Sequence, residues 1–149
     1  MAWLVDTSLL VRLANTADSS YSTAVHAIKT LHRRGEVIHT TPQNYLEFRS
    51  VATRPILVNG LGLDPFDAEF KADSFEVLFP PLVETPDNYL AWKNLVKKSE
   101  IIGKQVHDAR LVAVCQVYGI THLLTFNSGH FTRLATHVPG LVIVDPSNL

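Results

Sequence analysis

One cysteine, Cys115, stands in this chain, so no disulfide can form within it. A thiol-reducing compartment, the cytoplasm, is the expected setting. No stretch approaches the roughly 20 apolar residues that a bilayer-spanning helix requires. The apolar opening MAWLVDTSLLVRL carries Asp6 and Arg12 and lacks the basic leader and long apolar run of a secretory signal. No membrane association is expected. Excess charge is also missing: 13 Lys and Arg stand against 14 Asp and Glu, for a formal net charge of -1. That does not announce nucleic-acid binding through an overall basic surface, although a local basic patch or a bound metal handles phosphate as well. Several catalytic signatures are absent. Gly60-Leu61-Gly62 is no phosphate cradle, because neither GxxxxGK[ST] nor GxGxxG follows a strand. There is no GxSxG elbow. His107 beside Asp108 has no third His or Cys at ligand spacing, which argues against zinc.

What is present is a core. Hydrophobic residues make up 46% and charged residues 18% of the 149, a balance that favours a packed domain over disorder. Residues 1–149 read as one domain, with no repeat, low-complexity segment or linker. Short apolar runs at Ala2–Val5, Val37–Thr40, Ile120–Thr125 and Leu141–Val144 read as strands, with Leu82–Glu84 as a further short one. Helices are expected from about Ser20 to Arg34, from Pro42 through Ala52, over Pro65–Phe79, over Asp87–Lys98 and over Val106–Tyr118. Phe66, Phe70, Phe75 and Leu78 are expected to anchor the third of these, and Gly119 to terminate the last. Strands alternating with helices predict an α/β sandwich with a mostly parallel central sheet flanked by helices. Sites in such sheets form at the carboxyl ends of strands.

Three carboxylates have apolar neighbours. Asp6 follows AWLV, Glu47 lies in NYLEFRSVA, and Asp108 precedes ARLVAV. Acids in such surroundings need a partner or a metal. Each also has a plain structural reading. Asp6 suits the cap of the segment after it, Asp108 suits a helix N-terminus, and Glu47 suits an ion pair with Arg49 or Arg54.

The motifs LVDTSLLVRL, QNYLEFRSVATRP, NGLGL, GKQVHDARLVA and THLLTFNSGHF, in that order across almost the whole chain, resemble PIN domains, and more narrowly the VapC-type toxins of bacterial toxin–antitoxin pairs. The resemblance implies a PIN-like three-layer sandwich and an Mg²⁺- or Mn²⁺-dependent endoribonuclease, with Asp6, Glu47 and Asp108 as its catalytic acids. It also implies an RNA substrate, a cognate antitoxin and a homodimer. Mg²⁺ and Mn²⁺ prefer carboxylate oxygens and water, which makes Asp6 and Asp108 the first choices as metal ligands. Glu47 completes the acidic site or orients the attacking water. Thr7 and Ser8 are accessory candidates that would donate to Asp6 or to a phosphate. Arg12, Arg49 and Arg54, with Lys104 and Arg110, are candidates for a phosphate-facing patch. One departure weakens the match. The family often carries a further acid in the segment TFNSGHF, where this chain has Asn127 and His130. The missing acid argues against a strict two-metal mechanism, and a PIN-like RNA- or protein-binding module with weak catalysis is the alternative. A phosphatase of the haloacid-dehalogenase type needs a second Asp two residues after the first, and that position is Ser8.

Overall fold

The computed structural model describes residues 1–149. Its four strands are β1 (Ala2–Val5), β2 (Val37–His39), β3 (His122–Leu124) and β4 (Val142–Val144). They form one sheet in the order β2-β1-β3-β4, and every neighbouring pair is parallel. Parallel strands need long crossovers, and seven helices supply them: α1 (Thr7–Leu13), α2 (Tyr21–Arg33), α3 (Pro42–Thr53), α4 (Pro65–Leu78), α5 (Pro86–Ser99), α6 (Gln105–Tyr118) and α7 (Ser128–Ala135). The expected α/β sandwich is present.

Helices on both faces explain why the strands read as continuous apolar runs. Successive side chains of β1 point to opposite faces. Trp3 and Val5 join Leu9, Leu10, Phe48, Phe75, Phe79 and Leu124 in one core. Leu4 joins Val112, Leu123, Phe131 and Leu134 in the other. Central α6 is buried over the run from Leu111 to Cys115, and Gly119 ends it with a left-handed φ of 65°.

Local signals set α3, which carries Glu47. Thr41 caps its N-terminus in a capping box with Asn44, and Pro42 occupies the first turn. After it, NGLGL folds back. A Cβ on Gly60 would overlap the Arg54 carbonyl, and Asn59 and Gly62 both take positive φ. That geometry accounts for glycine at these positions.

Two expectations fail. Phe66, Phe70 and Leu78 do not anchor α4; they are 79%, 68% and 53% exposed. The buried face of α4 is Ala68, Ala72 and Phe75, continued by Phe79. The two alanines share helical spacing with Phe75 and let α4 lie close to its neighbours. The larger residues are left outside. Leu82–Glu84 is no strand either. Only Pro81 bridges to Thr40; beyond it the opposing chain turns at Thr41 into α3, and Pro42 has no N–H to extend the ladder.

Phe48 is fully buried and Leu57 is 97% exposed. Phe48→Ala is expected to cost about 3–5 kcal/mol, and Leu57→Ala less than about 0.5 kcal/mol. Urea unfolding of the two variants beside the parent checks this contrast.

Candidate functional site

The chain leaves β1 for β2 on one side and later returns to β3 on the other. A crevice opens at such a reversal, beyond the carboxyl ends of the two strands. Asp6 directly follows β1 and Thr125 directly follows β3, so the two meet there. Asp6 is 6% exposed. Its Oδ2 accepts a hydrogen bond of 2.8 Å from Thr125 Oγ1, and its backbone N–H donates to the Leu124 carbonyl at 2.9 Å. Asp6 occupies the N-cap position of α1, yet its side chain caps nothing. The plain capping reading therefore does not account for it. Its second carboxylate oxygen has no protein partner.

The neighbouring hydroxyls serve other groups than Asp6. Thr7 Oγ1 donates to Glu47 Oε2 at 2.6 Å and accepts from Asn44 Nδ2 at 3.1 Å. Ser8 Oγ accepts from the Phe126 N–H at 3.2 Å. Glu47 is half-buried and pairs with neither Arg49 nor Arg54. Its Oε1 accepts from Gln43 Nε2 at 2.7 Å, and the same nitrogen donates to the His107 carbonyl at 2.9 Å. Gln43 therefore ties the helix that carries Glu47 to the first turn of the helix that carries Asp108.

Asp108 lies in that first turn with 24% of its side chain exposed. No hydrogen bond reaches it, and His130 Nδ1 stands 3.9 Å from its Oδ2. Burial pushes its carboxyl up to about 6, and the negative charge of Asp6 adds to this. Glu47 pushes the same way, while His130 and His107 oppose it. The three acids therefore share one electrostatic neighbourhood. No three His, Cys, Asp or Glu side chains come close enough to enclose one cation together. The donor set is nonetheless one that Mg²⁺ accepts, since that ion commonly keeps several waters and uses one or two carboxylates. Asp6 and Asp108 fit that role. Glu47, with both oxygens already hydrogen-bonded, fits it less well.

Asn127 sits at the N-cap position of α7, and its backbone N–H donates to Thr125 Oγ1 at 2.9 Å. Among the arginines, Arg12 donates to the Ser8 carbonyl at 3.2 Å and lies 4.6 Å over the Phe126 ring, at the edge of the site. Arg49 is committed to Glu69 through two bonds of 2.7 Å. Arg54 is exposed and contacts Ser50, and Arg110 holds Glu84 at 2.6 Å. These arginines do not form one phosphate-facing patch. Sequence reasoning missed Gln43 and Thr125. Gln43 carried a usable signal, since it precedes Glu47 by one helical turn on the same face. Thr125 carried none, because only the pairing of β1 with β3 brings it to Asp6.

No family model and no curated protein matches the chain by sequence. Solved structures do match. A chain of the Rickettsia felis VapBC2 structure, solved bound to a DNA fragment from its promoter, superposes with a TM-score of 0.72 at 15% identity, covering 97% of this chain and 98% of that one. The VapBC-1 structure from nontypeable Haemophilus influenzae gives 0.69 at 15%, with 99% of each chain covered. VapC20 of Mycobacterium tuberculosis, described as a sarcin-ricin loop cleaving toxin, gives 0.63 at 22%, covering 93% and 98%. The chain has the PIN-like fold of these toxin–antitoxin structures over nearly its whole length.

Asp108 binds its proton more tightly in the folded chain, near 6, than its ordinary value of 3.8. Its contribution to stability is therefore fully present below the unfolded value and is lost as pH rises through about 6. Asp108→Asn is expected to stabilise the metal-free protein by about 1–3 kcal/mol at pH 8 and by little at pH 4. Urea unfolding in EDTA at the two pH values checks this; equal effects at both would contradict it.

Proposed function

We propose that this protein is a metal-dependent endoribonuclease and the toxin of a toxin–antitoxin pair. The observation that carries the proposal is that Asp6, Glu47 and Asp108, from three separate elements, share one electrostatic neighbourhood beside the carboxyl end of β1. The likeness of fold to VapBC structures and to a sarcin-ricin loop cleaving toxin supports it.

Asp6 and Asp108 would hold Mg²⁺ or Mn²⁺, which when bound supplies a Lewis acid for the phosphoryl group and lowers the pKa of water. Each residue has a task that follows from its surroundings. Thr125 fixes the Asp6 carboxylate so that its free oxygen stays available. Glu47, clamped by Thr7 and Gln43, keeps one orientation. Held in that orientation, it can accept a hydrogen bond from the attacking water and align it. Asp108 has no donor of its own. A cation placed beside it would favour ionisation and offset the repulsion from Asp6 and Glu47.

Asp6→Asn and Asp108→Asn are each expected to lower RNA cleavage at least a hundredfold while leaving the fold intact, and EDTA should abolish it. Gel assays with and without added Mn²⁺ check this, with circular dichroism as the control for folding. Cleavage undiminished in EDTA would overturn the metal requirement. One observation favours a second reading, a binding module with weak catalysis: Asn127 stands where a further acid would raise the ligand charge. Mn²⁺ binding without cleavage of any RNA tested would select it.

The proposed partners are a cognate antitoxin, which would neutralise the acids with an Arg or Lys side chain in place of the metal, and a second copy of this chain. Leu9, Leu10 and Phe75 are buried in the core and take no part in such an interface. Phe66, Phe70 and Val77 remain, on one exposed face of α4, and an apolar face of that kind marks an interface. Light scattering should report about twice the 16.6 kDa chain mass, and Phe70→Ser should return it toward the monomer. A monomer at micromolar concentration would overturn the dimer.

A further inference from the structure

A second concave feature lies on the other side of the first turn of α6. It is a cleft of about 370 Å³ between α5 and α6, lined by Glu84, Asn88, Tyr89, Trp92, His107 and Arg110 among others. The His107 carbonyl accepts from Gln43, the residue that clamps Glu47, so cleft and acids share one short stretch of backbone.

Two kinds of group meet in this cleft. Tyr89 and Trp92 are stacked, with ring centroids 5.9 Å apart, and Tyr89 is 60% exposed. Trp92 is partly buried against the core, so Tyr89 is the ring that offers an exposed π-face beside the cleft. The polar groups are incompletely satisfied. Asn88 is 4% exposed, and its Oδ1 accepts from the Thr85 N–H and hydroxyl, but its Nδ2 is buried with no partner. Glu84 Oε2 is held by Arg110, while its Oε1 is buried with no partner. A buried donor or acceptor left unpaired costs on the order of 1–3 kcal/mol. Here one unpaired donor and one unpaired acceptor belong to residues lining the same cleft.

We propose that this cleft is a nucleobase subsite for the RNA strand, with a purine as its preferred occupant. The proposal rests on the ribonuclease reading and deepens it. The base stacks against Tyr89 and Trp92. A ring amino or imino N–H of the base donates to Glu84, and a ring nitrogen or carbonyl oxygen accepts from Asn88. Purines combine the larger stacking face with both kinds of edge group. A base held here places its own backbone beside the turn that carries Asp108, so the cleft selects which phosphodiester lies over the acids.

The test uses full-length Asp6→Asn protein, which binds without cutting, and ¹H–¹⁵N spectra during titration with AMP, GMP, UMP and ribose 5-phosphate. Trp92 donates its indole N–H to the Val106 carbonyl at the cleft wall, whereas Trp3 is buried in the core. AMP and GMP should shift the Trp92 indole and Asn88 amide signals saturably and leave the Trp3 indole unmoved. UMP should bind more weakly and ribose 5-phosphate not at all. Tyr89→Ala should weaken purine nucleotide binding about tenfold while leaving the Trp92 and Asn88 signals of the free protein dispersed. Ribose 5-phosphate matching AMP, no saturable shift at Trp92 (a cleft that holds only water), or unchanged affinity in Tyr89→Ala would each overturn the subsite. RNA cleavage by the parent protein with no purine shift at the cleft would sink the subsite alone. Purine binding there without cleavage of any RNA by the parent would count against the ribonuclease reading alone.

Discussion

The parallel pairing of β1 with β3 is the constraint from which the rest of the structure follows. It joins residues almost the full length of the chain apart, Trp3 with His122 and Val5 with Leu124, and so places Asp6 beside Thr125. A carboxylate as buried as Asp6 needs compensation, and the Thr125 hydroxyl gives it one hydrogen bond. Because the strands are parallel, helices must return over both faces of the sheet. Both faces are then sealed by apolar cores. The carboxyl edge between β1 and β3 is left as the place where polar groups collect.

The electrostatics of that edge work against folding. Asp108 takes up a burial cost and the repulsion of Asp6 and Glu47. The compensation is uneven. Glu47 is clamped on both oxygens and Asp6 on one, while Asp108 has only His130 at 3.9 Å. An arrangement optimised for stability alone would hydrogen-bond or remove the third acid. Its retention in an unpaired state suits a group whose partner arrives from outside, as a metal or as an inhibitor's cation. Gln43 adds mechanical coupling, since one amide nitrogen holds Glu47 and also the backbone next to Asp108.

Two surface features surround this centre without belonging to it. The outer face of α4 presents Phe66, Phe70 and Val77, and the cleft between α5 and α6 presents Tyr89 and Trp92. The first is an exposed apolar helix face, suited to another protein surface. The second is concave and mixed, with unpaired polar atoms beside aromatic rings, suited to a small planar group. Both proposed roles follow from shape and chemistry of this kind.

Much of the architecture was readable from the residues, because its causes are local. Apolar runs of strand length, Thr41-Pro42 at the start of α3, and Gly119 after α6 all act within a few positions. They predicted all four strands and placed Asp6 just after β1, Asp108 near the start of α6 and Glu47 within α3. Where local evidence was ambiguous, the reading failed. Phe66 and Phe75 are equally apolar in sequence, and only the alanines that let α4 approach its neighbours decided which of them is buried. Leu82 looked like a strand residue until its proline neighbours met Thr40 across space. Arg49 looked free until Glu69, 20 residues away, claimed it. The sequence by itself therefore determined which segments are strands and helices and which acids stand in apolar company, since periodicity and capping are short-range. The tertiary structure alone decided that Thr125 serves Asp6, that Gln43 joins two acids' helices, and that Asn88 and Glu84 line one cleft, because each depends on contacts between residues that chain order keeps apart.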